Sequence, residues 1–64
     1  MIVNGEKINV DGEIVLSEFL RKQNYSEERV AVEKNGNIVP KKDFKQTKLS
    51  SQDKLEIVSF VGGG

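Results

Sequence analysis

Cysteine and histidine do not occur in these 64 residues, and neither does tryptophan. Without thiols the chain has no disulfide and no thiolate metal site. Without histidine it lacks the most common general base and metal ligand near neutral pH. An excess of one charge is missing too: ten Lys+Arg balance ten Asp+Glu. That balance argues against an electrostatic hold on nucleic acid or on anionic lipid. No apolar run approaches the roughly 18 residues of a membrane span. The start, Met1-Ile2-Val3-Asn4, has no basic region leading into an apolar stretch, so no secretory leader is expected. The expectation is a soluble cytoplasmic protein with neither nucleic acid nor membrane as a partner.

Enzyme chemistry is also poorly provided for. Asp11, Glu13, Asp43 and Asp53 are scattered, and no spacing among them suggests a metal site or a general acid–base pair. Turns and solvated surface account for them. With no nucleophile–base constellation, the chain is expected to have no catalytic residues, no metal and no bound cofactor of its own. A single domain of this length buries only about 60% of its unfolded surface. Its stability should be about 3–10 kcal/mol. The 36% of hydrophobic residues must therefore be well patterned.

The pattern is readable. Asn4-Gly5 stands between Met1-Ile2-Val3 and the alternating Lys7-Ile8-Asn9-Val10. Asn-Gly there is a strong hairpin signal, because a type I′ turn needs positive φ at both central residues. Strands are expected at 1–4 and 7–10, with Met1, Val3, Ile8 and Val10 inward. From Val15 to Asn24 the period changes. Leu16, Phe19 and Leu20 share one helical face, and Ser17, Glu18, Arg21 and Lys22 the other. Val15 is a poor cap, so Glu13 or Ser17 could also mark the start, and Asn24 is a plausible stop. Val30–Lys34, Asn35-Gly36 and Asn37–Val39 form a second hairpin ended by Pro40. A polar connection follows, anchored by Phe44 and Leu49. Its Lys41, Lys42, Lys45 and Lys48 read as a solvated connection in preference to a nucleic-acid patch, since net charge is zero and Phe44 is the one interleaved aromatic. Steering of docking to an acidic partner is a weaker alternative. Leu55–Val61 is the last strand, with Leu55 and Ile57 on one face and Val58 and Phe60 on the other.

Such a short helix needs a sheet to cover its apolar stripe. One mixed sheet wrapped over one helix, with the first and last strands adjacent and parallel, satisfies that need. This is an α+β, ubiquitin-like β-grasp arrangement over residues 1–61. Residues 62–64 form a glycine tail. Val58 and Phe60 either complete the core from the far side or form an exposed apolar patch beside that tail, suited to docking a partner. Three glycines cannot build a core. They offer a backbone without side chains, able to enter a slot too narrow for any Cβ. Extended, Gly62 to Gly64 reaches roughly 10 Å, enough to carry the Gly64 carboxylate into a partner's active site.

Several stretches resemble the sulfur-carrier proteins of thiamine biosynthesis, the ThiS family. They are Asn4-Gly5-Glu6, Leu16-Ser17-Glu18-Phe19-Leu20, Val30 through Pro40 with its Asn-Gly-Asn-Ile-Val-Pro, and Leu55 through Gly64 with its Phe-Val-Gly-Gly-Gly ending. Ser51-Gln52-Asp53 stands where the family often has Asp-Gly-Asp, and Val15 where it often has Thr. The resemblance implies a protein co-substrate and not an enzyme. A ubiquitin-activating-enzyme-like adenylyltransferase (ThiF-like) would use ATP to adenylate the Gly64 carboxylate. A sulfur donor such as a cysteine desulfurase would supply the sulfur of a C-terminal thiocarboxylate. Thiazole synthase (ThiG-like) would take that sulfur. Gly62 and Gly63 would let the tail fit the partner's channel. A sulfur carrier for molybdopterin or tRNA thiolation shares these features, and a non-covalent ubiquitin-like interaction module is the third reading.

Overall fold

The computed structural model describes residues 1–60. Val61 and the glycines Gly62, Gly63 and Gly64 lie outside the described residues. Both Asn-Gly pairs are turns: φ is 51° and 84° at Asn4 and Gly5, and 53° and 86° at Asn35 and Gly36. These are the positive values a type I′ hairpin requires. The first turn joins β1 (Ile2–Val3) to β2 (Glu6–Lys7). The strand expected at 7–10 is shorter and earlier. Ile8 still exchanges hydrogen bonds with Met1 (2.7 and 3.0 Å), but β1 is too short to pair further, and the chain turns at Gly12 (φ 69°). Ile8 and Val10 are half-buried against the core.

Strand β3 (Ile14–Val15) runs directly into helix α1 (Leu16–Lys22). Val15 is the N-cap and supplies no side-chain acceptor. Carbonyls from a distant segment take that role: the Leu16 N–H donates to Thr47 (2.7 Å) and the Ser17 N–H to Phe44 (3.0 Å). This closes two of the donors that a helix start leaves open. It also corrects the placement of Ser17, which faces the 44–47 segment and is buried, not solvated. Asn24 ends the helix as expected, with φ 64°. The Asn24 N–H reaches Arg21 and the Tyr25 N–H reaches Leu20, the paired bonds of a Schellman motif.

Next come one 3-10 turn at Glu27–Arg29 and the hairpin of β4 (Val30–Lys34) and β5 (Asn37–Val39). The long connection contains a second 3-10 turn, Lys41–Asp43. It also holds β6 (Lys48–Leu49), which pairs antiparallel with β3 in a two-stranded ribbon. Sequence periodicity showed neither β3 nor β6, since two-residue strands have no alternation to read. The anchors Phe44 and Leu49 are buried as expected.

The last strand, β7 (Lys54–Ser59), is central in the order β2-β1-β7-β4-β5. It runs parallel to β1 and antiparallel to β4. Leu16, Phe19 and Leu20 of α1 meet Met1, Val3, Val30, Val32, Leu55 and Ile57 from the sheet in one core that includes Phe44 and Leu49. The fold is thus the expected β-grasp.

The β4–β5 turn is tied to the turn before β7. Asn35 donates to Asp53 (2.9 Å) and accepts from the Lys54 N–H (2.9 Å), and the Ser50 N–H donates to the other Asp53 oxygen (2.8 Å). Burial pushes the Asp53 carboxyl up, but hydrogen bonds from Asn35 and Ser50 and the nearby Lys34 charge outweigh it and hold the group below its ordinary value. A carboxyl lowered in the folded state stabilises the fold above its unfolded pKa, and that contribution is lost as pH falls through the folded pKa. Below about pH 4, melting temperature should therefore fall less steeply in Asp53→Asn than in the wild type. Melting curves of both proteins against pH check this; parallel acid limbs would contradict it.

Candidate functional site

Alternation along β7 sets the site. Leu55 and Ile57 are buried, so Lys54, Glu56, Val58 and Phe60 turn to the opposite, outer face, which α1 does not cover. Val58 and Phe60 are each 57% exposed. The structure thus decides between the two readings of this pair: they do not complete the core. Strand register adds residues that sequence reasoning did not place here. Ile2 lies beside Lys54, Ala31 beside Val58, and Ile38 beside Glu33, itself opposite Glu56. Ile38, at 75% exposed, is the most open of these apolar side chains. The same alternation in β1 and β5 carries this signal, but only after the strand order is known.

Phe60 is the last described residue, and its position is fixed. Its N–H donates to the Arg29 carbonyl at 2.6 Å, one step past the end of the β4–β7 pairing. The other edge of β7 is held by Asn4. The Asn4 carboxamide accepts from the Ile57 N–H (2.7 Å) and donates to the Ile57 carbonyl (3.1 Å). In effect a side-chain amide continues the parallel ladder that β1 ends at Val3. Asn4 suits this task doubly, since Asn tolerates the left-handed backbone of the turn. Sequence reasoning found Asn4 only as a turn residue. Its second role depends on β1 lying beside β7.

The remaining candidate residues do not converge. Lys41, Lys42, Lys45 and Lys48 are all exposed. Lys41 donates to the Glu28 carbonyl, and the Lys48 carbonyl accepts from Lys34. Among the described residues no group of three or more acidic side chains could hold a metal ion, and no helix is long and apolar enough to cross a membrane. A groove of about 360 Å³ lies on the helix side, between the 8–14 loop and α1, away from the outer face.

A β-grasp domain of this order, with an apolar outer face around its central strand, is a ubiquitin-like protein. More narrowly, the chain belongs to the ThiS family, whose profile matches residues 1–64. The crystal structure of thiamine biosynthesis protein ThiS from Geobacter metallireducens is similar with a TM-score of 0.81 and 33% identity, over 98% of this chain and 96% of that one. The ycf40 protein of Pyropia yezoensis is 44% identical over 62 residues, 97% of this chain and 87% of that one. Thiazole synthase of Paramagnetospirillum magneticum is 39% identical over 64 residues, all of this chain but only 20% of that one. The chain thus spans about one fifth of that relative's length.

Asn4→Gly keeps the turn's backbone permitted and removes both hydrogen bonds to Ile57. It should lower stability by about 1–3 kcal/mol. Urea unfolding checks the loss, and hydrogen exchange should place the loosening at the Ile57 amide.

Proposed function

We propose that the chain is a sulfur carrier that delivers sulfur for thiazole formation in thiamine biosynthesis, acting as a protein co-substrate. The reacting group is the Gly64 carboxylate. A carboxylate is a poor acyl electrophile. In the proposed sequence it attacks the α-phosphorus of ATP in the active site of an adenylyltransferase. Pyrophosphate leaves, and the acyl-adenylate has a good leaving group. The terminal sulfur of a persulfide, supplied through a cysteine desulfurase, attacks the acyl carbon and AMP departs. A thiolate then cleaves the sulfur–sulfur bond of the acyl disulfide. It forms a new disulfide and releases the thiocarboxylate, which thiazole synthase consumes.

Support comes from both sides of the reaction. The chain has no cysteine to carry a persulfide, so in this reading the sulfur comes from a partner. Glycine at 62 and 63 removes the side chains that would block a narrow channel. The observation that carries the reading is the exposed apolar face formed by Val58 and Phe60 at the end of the central strand. In the proposed role it would seat an adenylyltransferase next to Phe60, from which the reacting segment continues in sequence. Family membership supports the sulfur chemistry, and the similarity to part of a thiazole synthase supports the acceptor.

The direct test is intact mass after incubation with ATP, adenylyltransferase, cysteine desulfurase and a thiol. One oxygen should be replaced by sulfur, mapped to Gly64, and deletion of Gly64 should abolish the change. An unaltered mass, where an established carrier reacts, overturns the proposal. In the same assay Phe60→Ala should raise KM about tenfold, as for loss of one interface anchor of roughly 1–2 kcal/mol. Its fold should be unaffected, since Phe60 lies outside the core.

A further inference from the structure

On the outer face, one pair before the β4–β5 turn end of the β4–β7 pairing, stand two glutamates. Glu33 is directly opposite Glu56, and both are exposed. Residues so placed have Cβ atoms about 4.5–5.5 Å apart, and like charges there repel. Composition does not force this, because acidic and basic residues are equal in number. Lys54 shares the face two residues before Glu56, beside Ile2 of β1. Lys34 is turned to the Lys48 carbonyl at 3.1 Å. Asn4, next along β1 toward Glu56, has its carboxamide committed to Ile57.

Apolar groups surround the pair: Ile38 beside Glu33, Val58 beyond Glu56, and Phe60 after it. Two aligned carboxylates within an apolar surface suit a planar guanidinium, which binds carboxylates through parallel N–H donors and is only weakly hydrated. The geometry points to a docking surface for thiazole synthase, in which an arginine of the synthase sits between Glu33 and Glu56 while apolar side chains cover Ile38, Val58 and Phe60. Thiazole synthase is favoured because two proteins so named contain a segment similar to this chain as about one fifth of their length. In them carrier-like and synthase sequence share one polypeptide. The inference rests on the proposed delivery of sulfur to that enzyme.

The test is calorimetric titration of the carrier into thiazole synthase at two salt concentrations. Because this binding needs no thiocarboxylate, it is read separately from the mass experiment. A Glu33→Gln/Glu56→Gln variant should bind at least about tenfold more weakly, with a flatter salt dependence. It should also melt at a higher temperature than the wild type, because the repulsion is relieved. Glu33→Lys/Glu56→Lys should bind more weakly still. Affinity within twofold of wild type in both variants overturns the proposal. So does a loss confined to adenylation, which would assign the pair to the other partner. A glutamine variant that melts lower than the wild type removes the repulsion on which the argument is built.

Discussion

Strand β7 is hydrogen-bonded along both edges, to β1 on one side and β4 on the other, and the rest of the structure depends on that. A strand paired on both sides cannot slip by one residue without exchanging its buried and exposed sets. Leu55 and Ile57 are locked inward by the helix, so Val58 and Phe60 are locked outward. The last strand therefore delivers its end at one place and in one orientation. Asn4 and Arg29 extend this control past the regular pairing. One holds Ile57 through a side-chain amide, and the other holds Phe60 through its carbonyl. In the proposed role the reacting terminus gains from such a base, since misplacing a reacting group by about 1 Å can cost a hundredfold in rate.

The same economy of backbone satisfaction runs through the fold. Helix α1 has seven residues, too few to be stable alone in water, and no side chain caps its start. Carbonyls of Phe44 and Thr47 close that end. The 40s connection is thus pinned twice, by the buried Phe44 ring and by those bonds. Asp43 secures it in turn through Thr47, whose hydroxyl and N–H both donate to the Asp43 carbonyl. What read as a polar linker is the cap of the only α-helix among the described residues.

Much of this was legible because it follows from local rules. Both Asn-Gly turns need positive φ, the Leu16, Phe19 and Leu20 stripe has helical period, and the parallel pairing of first and last strands follows from the intervening crossover. Apart from β3 and β6, which are too short to show alternation, the misses are non-local. Ser17 looked solvated because helical phase ignores what crosses the helix start. Asn4 looked like a turn residue because its partner, Ile57, is 53 residues away. Ile2 and Ile38 could join Val58 on one surface only after register placed their strands in a single sheet. For the site, alternation within β7 defined two faces but could not say whether the far one was covered. Leu55 and Ile57 read as inward, but whether Val58 and Phe60 were buried by a second layer or left bare could not be told until the helix was seen to cover one face alone.

The outer face shows why stability and function pull apart in so small a domain. With no cysteine to form a disulfide, the described residues hold together by one core beneath one helix, and little stabilisation is spare. Yet Ile38, Val58 and Phe60 remain exposed, and Glu33 and Glu56 face each other across a strand pair where one lysine would relieve the strain. Burying the first group or pairing the second would make a firmer fold. It would also remove the open apolar and acidic surface beside the end of β7. In the proposed role the chain passes between successive partners, so its recognition surface has to stay open when no partner is bound. On this reading the unfavourable residues are grouped on the face beside the end of β7 because that is where partners must reach.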